Sequence, residues 1–195
     1  MATAFSRCRE EIEGYQEALK HLTLDQSPID YAMTQYNLGN AFQTLARMEP
    51  KAKDCRLAIE AYSRALNVFS REQFPREYAN TKSSLGYAYW VLSGVTRDEE
   101  KKQNCLLSIA ACSEASKVIT VDVSPTQYAE IQYHIGQALW IFAWTAEGTR
   151  KMKTKYGRLC TEAYTEVLKS FPPENLPADY AILENYIRIL EEEFR

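Results

Sequence analysis

Pro75-Arg76-Glu77-Tyr78-Ala79, followed by Leu85-Gly86-Tyr87-Ala88, is the stretch that decides the fold, because both parts recur along the chain. Pro-x-x-Tyr-Ala is found four times, with successive prolines 47, 50 and 52 residues apart: Pro28 to Ala32, Pro75 to Ala79, Pro125 to Ala129 and Pro177 to Ala181. Eight residues after the tyrosine, three copies carry glycine and the fourth carries arginine: Gly39, Gly86, Gly136 and Arg188. Self-similarity at a period of roughly 20–50 residues is typical of a stacked repeat architecture.

A second block recurs between these stretches: Ile12 to Leu19, Ile59 to Leu66, Ile109 to Ser116 and Thr161 to Leu168. Each block ends nine residues before the proline of the next copy, so the differences in repeat length fall inside the repeats. Neighbouring repeats of a solenoid must dock in one geometry, whereas a segment inside a repeat is free to vary. The constant spacing therefore predicts that successive repeats stack in the same way.

Both blocks have the apolar spacing of amphipathic helices, which we name A for the proline-initiated helix and B for the other. In the first A helix, Leu38, Ala41 and Leu45 stand at i, i+3 and i+7. Proline suits the first turn of a helix, and Ser27 before Pro28 is a suitable N-cap. Glycine inside a helix costs about 1 kcal/mol relative to alanine. Its return at one position predicts a place where another helix comes too close for a β-carbon.

The arrangement resembles the tetratricopeptide repeat: Leu-Gly is followed by small and aromatic residues in helix A, and helix B carries Ala58, Tyr62 and Ala65. The resemblance covers nearly the whole chain and implies an all-α fold, in which antiparallel helix pairs stack into a right-handed superhelix. The family unit is about 34 residues, so the copies here are similar to the extended repeats of many prokaryotic arrays. We expect the extra residues as an insertion in the turn between A and B. The pattern departs from the family where an aromatic residue is usual, at Gln35, Lys82 and Gln132.

The repeat frame predicts a single solenoid domain over residues 1–195. Its parts are a helix B at 3–23, repeats at 27–72, 74–120 and 124–171, and a C-terminal helix at 177–194. The chain therefore begins with a B helix and closes with an A helix. These outer helices either cap the array or belong to a longer one.

The composition argues against several classes of protein. With 46% hydrophobic and 25% charged residues, the chain has the balance of a folded domain rather than a disordered one. It contains neither an uncharged apolar run of about 18 residues nor a basic-then-apolar leader, so we expect a cytoplasmic protein without a membrane span. The net charge of −3 provides no general attraction to nucleic acid or anionic lipid, and neither is expected as a partner.

The cysteine and histidine residues do not form a catalytic or metal-binding pattern. Cys8, Cys55 and Cys105 each stand seven residues before the centre of a B helix, so they are one repeat position copied three times. Free cysteine is usually a small buried hydrophobe, and we expect core packing. His134 has no neighbouring nucleophile or carboxylate in its frame, and no phosphate loop or hydrolase motif is present. We expect no enzyme activity, no cofactor and no metal site.

Helix A lines the concave groove of tetratricopeptide arrays, so the resemblance assigns partner binding to positions three before, one after and four after each glycine. Asn37 and His134, one position further along the same face, are added to these positions. Tyrosine and tryptophan offer large contact area at low entropic cost, and asparagine can bind a backbone amide. The alternative is that these aromatic residues pack on one another. The predicted partner-binding residues are Tyr36, Asn37, Asn40, Gln43, Ser83, Tyr87, Trp90, Tyr133, His134, Gln137 and Trp140.

The favoured interpretation is a non-catalytic scaffold that binds a protein or peptide in this groove. One alternative is a self-association module whose end helices pair with another copy as a homodimer. Another is a regulatory segment of a larger multidomain protein. A basic run from Arg150 to Arg158, in the predicted turn between the third A and B helices, would attract an acidic tail or a phosphate backbone.

Overall fold

The computed structural model describes residues 4–145, 150–170 and 177–194. Within those ranges it consists of α-helices and turns and contains no strand, which confirms the expected all-α fold. None of the described helices is both long and apolar enough to cross a membrane. The helices are α1 (Ala4–Ala18), α2 (Pro28–Met48), α3 (Ala52–Ala65), α4 (Pro75–Val95), α5 (Asp98–Ser116), α6 (Pro125–Thr145), α7 (Arg150–Ser170) and α8 (Pro177–Glu193).

Each A helix begins at its repeated proline, whose fixed φ and missing N–H are compatible with the first helical turn. The A helices of the three repeats, α2, α4 and α6, are each 21 residues long. Ser27 precedes α2, as expected of an N-cap, but its side chain makes no capping hydrogen bond. Proline therefore sets the start of this helix without help from the serine.

Each helix packs against its neighbours in the chain, and the most extensive contacts join A to B within a repeat: α2 to α3, α4 to α5 and α6 to α7. The A helices α2 and α4, and likewise α4 and α6, also approach within 8 Å between Cα atoms. No two B helices of the described ranges approach so closely. The row of A helices is thus the more tightly packed layer.

The repeated glycine of helix A lies directly against the central residue of helix B. A β-carbon on Gly39 would lie 2.5 Å from Cε1 of Tyr62, and one on Gly136 would lie 2.4 Å from Cε1 of Tyr164. At these separations atoms overlap, so only glycine permits this helix spacing. The predicted packing role of the glycine is confirmed.

In the first two repeats the turn between A and B is short, which corrects the insertion expected there. Residues 49–51 alone separate α2 from α3, and residues 96–97 separate α4 from α5. The B helices instead differ in length, with 14 residues in α3, 19 in α5 and 21 in α7. The short second turn requires a positive φ of 49° at Asp98, a residue type that tolerates this region better than most.

Most predicted boundaries differ from the helix limits by a few residues. The first repeat was predicted to end at residue 72, whereas its last helix, α3, ends at Ala65. The N-terminal helix α1 ends at Ala18 rather than at residue 23. Residues 19–21 form a turn there, so the junction between repeats begins earlier than the apolar pattern suggested. The predicted limits at residues 1, 3, 171 and 195 either lie outside the described residues or, for residue 3, precede the first described helix.

The last A helix differs from the others at the glycine position. Arg188 stands there on α8, 63% exposed and paired with Glu192 at 3.2 Å. A long side chain at this position leaves no room for a B helix at the separation seen in the three repeats. A B helix therefore cannot pack on α8 in the same way. The space between α7 and α8 is filled instead by Phe194, whose Cδ2 would lie 2.3 Å from a β-carbon on Gly157.

Candidate functional site

The predicted partner-binding residues all lie on α2, α4 and α6, in the tightly packed A layer. Ten of the eleven side chains are half-buried, and Tyr133 is 38% exposed. Each side chain therefore packs on one side and reaches solvent on the other. The contacts of these side chains differ between the three helices.

In the first repeat, Tyr62 extends from α3 beneath the groove-facing side chains of α2. Its hydroxyl lies 2.9 Å from Oδ1 of Asn40 and 2.8 Å from Oε1 of Gln43, and its single hydrogen is donated to one of them at a time. Tyr36 packs on the same ring, with centroids 6.0 Å apart. Asn40 and Gln43 thus accept a hydrogen bond from a core residue, whereas Asn37 on the same helix is half-buried.

In the second repeat, three predicted residues form one aromatic cluster, which we call the α4–α6 cluster: Tyr87, Trp90 and His134. The ring centroids of Tyr87 and His134 are 4.9 Å apart in an edge-to-face arrangement. Trp90 and His134 stack at 6.3 Å with an interplanar angle of 26°. Ser83 lies one turn before Tyr87 and lines a small cleft between α4 and α6.

In the third repeat, the aromatic contacts continue towards α8. Tyr133 lies 6.0 Å from His134 and 6.3 Å from Tyr164 between ring centroids. The ring centroids of Trp140 and of Tyr186 on α8 are 4.8 Å apart. Tyr186 occupies the position on α8 that His134 occupies on α6. Gln137 is half-buried between these two aromatic contacts along α6. A row of aromatic rings therefore connects α4 to α8.

The central residue of helix B differs in the middle repeat. It is Tyr62 in α3 and Tyr164 in α7, but Cys112 in α5. The middle repeat therefore has a small thiol where the first and third repeats have a phenol ring.

His134 is held as a neutral imidazole. Burial lowers its pKa to about 4, because the protonated ring would lose its hydration among apolar and aromatic side chains. Its Nδ1 and the indole Nε1 of Trp90 are both buried, and neither makes a hydrogen bond with another described group. The contacts of His134 that the structure shows are ring contacts with Tyr87, Trp90 and Tyr133.

A cavity of about 420 Å³ opens beside the α4–α6 cluster, between the end of α2, α4 and α6. It is lined by apolar groups and by one charged side chain: Ala46, Arg47, Pro50, Tyr87, Trp90, Val91, Gly94, Val95 and Ile141. The repeat frame predicted Tyr87 and Trp90, which stand within four residues of the glycine. The eighth residue after the glycine, one helical turn further, is Arg47 on α2 and Gly94 on α4, and both line the cavity.

The cysteines are core residues. All five thiols are buried and unpaired, and burial raises the pKa of Cys112 and of Cys160 to about 12. Cys8 and Cys160 donate to the carbonyl oxygens of Ala41 and Gly136, at 3.1 and 3.2 Å. Within the described ranges, no group of three or more His, Cys, Asp or Glu residues could hold a metal ion.

The basic run belongs to a helix rather than to a turn, which corrects the sequence analysis. Arg150, Lys151, Lys153, Lys155 and Arg158 occupy the first half of α7. No described carboxylate forms an ion pair with any of the five. Because Lys151, Lys155 and Arg158 are spaced i, i+4 and i+7, they form one exposed basic stripe on α7.

Comparison of the chain with models of protein families, with curated proteins and with solved structures yields no match.

Proposed function

We propose that this protein is a non-catalytic scaffold of the tetratricopeptide type, which binds a peptide or helix of another protein along the A layer. The observation that carries the proposal is the half-exposed row of aromatic and amide side chains on α2, α4 and α6. Such side chains combine large contact area with hydrogen-bonding capacity, as binding surfaces between proteins do. A bound partner would bury the parts of these side chains that are exposed to solvent in the protein alone.

The packing of the layers supports a groove at this place. A stack whose units lie closer on one side curves towards that side, so the close approach of α2 to α4 and of α4 to α6 favours a concave A layer. An extended or helical segment of another protein would fit along such a surface. The aromatic row, anchored by core contacts on one side, would supply preorganised contacts at little further entropic cost.

Native mass spectrometry of the purified chain over a dilution series tests the proposal. We expect a monomer that carries a co-purified peptide or captures one from a peptide mixture. Gln137→Arg places a long charged side chain on the A layer and should weaken capture. Gln103→Arg makes the same chemical change on the exposed face of α5 and should leave capture intact. Equal capture by both variants would contradict the proposed location.

Self-association through the end helices has less support. A second copy docking a B helix onto α8 would meet Arg188 and its ion pair with Glu192, where the other A helices have glycine. The side chain of Arg188 would have to move away before a B helix could pack on α8 as it does on the other A helices. A dimer that persists on dilution, and that dissociates when an end helix is altered, would favour self-association over peptide binding.

A further inference from the structure

The cavity between α2, α4 and α6 differs from the rest of the A layer in its chemistry. Its lining combines the apolar side chains of Val91, Val95 and Ile141 with the rings of Tyr87 and Trp90. The volume, about 420 Å³, falls within the roughly 300–1,000 Å³ of typical ligand pockets. Both Gly94 and Val95 are exposed, so solvent reaches the cavity along the end of α4.

Arg47 is the one charged residue of this lining. Its side chain is exposed, and no described carboxylate lies within ion-pair distance of its guanidinium. The nearest acid along the chain, Glu49, is paired with Lys51 at 2.8 Å. The positive charge acts on Tyr87, whose pKa is raised by burial and lowered by Arg47. An unpaired cation therefore stands beside an apolar cavity.

The combination specifies the chemistry of an occupant. The apolar lining favours a large aliphatic or aromatic side chain, since burial of such a group from water is favourable. The guanidinium favours a carboxylate next to it, because Arg presents a fork of donors that matches carboxylate geometry. Beyond the cavity, half-buried Asn37, Ser83 and Gln137 offer donors and acceptors to a backbone.

We infer that this cavity is the anchor site for a partner peptide in which a large apolar residue lies next to Asp or Glu. The apolar side chain enters between Val91, Val95 and Ile141, and the acidic side chain pairs with Arg47. This inference rests on the proposed function, since it names the class of peptide that the A layer binds. It also assigns a role to Gly94, whose missing side chain keeps the cavity open.

The geometry of Gly94 provides a precise test. A β-carbon there would have no atom within 4 Å, so larger residues fit without disturbing the core. Gly94→Phe should fill the cavity, whereas Gly94→Ala should leave it open. Arg47→Glu reverses the charge at an exposed position and tests the acidic preference independently of the cavity. Circular dichroism melts verify that each variant is folded.

The experiment selects a random 12-residue phage-displayed peptide library on the wild-type protein and measures enriched synthetic peptides by fluorescence anisotropy. We expect enrichment of Leu, Ile, Phe or Trp within two positions of Asp or Glu. Gly94→Phe should weaken binding of such a peptide at least about tenfold, and Gly94→Ala should change it less than about twofold. Selection on Arg47→Glu should shift the enriched peptides from acidic to basic residues.

The outcomes separate the two proposals. Enriched peptides that bind Gly94→Phe as tightly as wild type would overturn the anchor site and leave peptide binding on the A layer standing. Enrichment without acidic residues, unchanged by Arg47→Glu, would overturn the role of Arg47. If no peptide is enriched on the wild-type protein, both the proposed function and the anchor site are wrong.

Discussion

A β-carbon on Gly86 would lie 2.3 Å from the sulfur of Cys112 and 3.2 Å from the backbone nitrogen of the same residue. The two helices of the middle repeat therefore meet backbone to backbone at this point. The same contact is made through a tyrosine ring in the first and third repeats. The thiol of Cys112 therefore occupies the place that a phenol ring has in those two repeats.

Alanine at two glycines of α4 should have opposite effects on stability. Gly86→Ala must push α5 away, because the backbone of Ser108 and Cys112 cannot turn aside as a side chain can. We expect a loss of about 1–3 kcal/mol in the free energy of unfolding. Gly94→Ala meets no atom and improves helix propensity, with a gain of about 0.5–1 kcal/mol. Urea unfolding measures both, and a stabilised Gly86→Ala would refute the packing role.

Two tyrosine hydroxyls in equivalent positions should differ in their contribution. Tyr62→Phe removes the hydrogen bonds to Asn40 and Gln43, and we expect a loss of about 1 kcal/mol. Tyr164→Phe should cost less, because its buried hydroxyl has no nitrogen or oxygen partner among the described residues and interacts with the thiol of Cys160, which is a weak acceptor. Thermal melts of the two variants compare the effects directly. Equal losses would mean that ring packing, not the hydrogen bond, distinguishes Tyr62.

His134 should make stability depend on pH in mildly acidic solution. Its pKa is about 4 in the folded chain against 6.5 for an ordinary histidine, so the unfolded chain binds more protons between these values. The free energy of unfolding should therefore fall as the pH decreases from 6.5 to 4, by at most about 3 kcal/mol. Chemical denaturation at several pH values measures the slope.

The control variants for this prediction replace the two histidines of the chain one at a time. His134→Phe should flatten the slope between pH 6.5 and 4, because it keeps a ring in the α4–α6 cluster without a titrating group. His21→Gln, at an exposed position, should leave the slope unchanged. An equal slope in wild type and His134→Phe would show that carboxylates alone cause the pH dependence.

The five thiols should react slowly in the folded protein. Each is buried, and burial raises the pKa of all five, so little thiolate is present at neutral pH. With a coloured disulfide reagent at pH 7.5, we expect five thiols per chain in denaturant and only slow release from the folded chain. Rapid reaction of one thiol without denaturant would identify a cysteine that the fold exposes.

Much of the fold was predictable because the same pattern of residues occurs several times in one chain. A glycine that returns in three frames is independent evidence from three places, and a close approach of another helix at that position was expected from the return alone. The lengths of the B helices were not predictable in this way. The residues after Arg97 are charged and resemble a solvated turn. They form the first turn of α5 instead, because acidic side chains favour a helix N-terminus.

The candidate site was less predictable, because the repeat frame gives the direction of a side chain and not its neighbours. Trp140 was assigned to partner binding, but it packs on Tyr186 of a helix about 46 residues away in the chain. Arg47 escaped notice because nothing in its own repeat distinguishes it. It matters through Val91 and Ile141, which other helices bring to the same cavity.

The amino-acid sequence alone determined the helical repeat, the order of its helices and the glycine contact within each pair, since these follow from local periodicity and steric fit. Only the tertiary structure decided which polar side chains the core engages, as Tyr62 does with Asn40, and where a cavity remains. Those properties depend on the distances between helices from different repeats. Such distances are set by the packing of residues that are remote in the chain, as in the ring contacts of His134 with Tyr87 and Trp90.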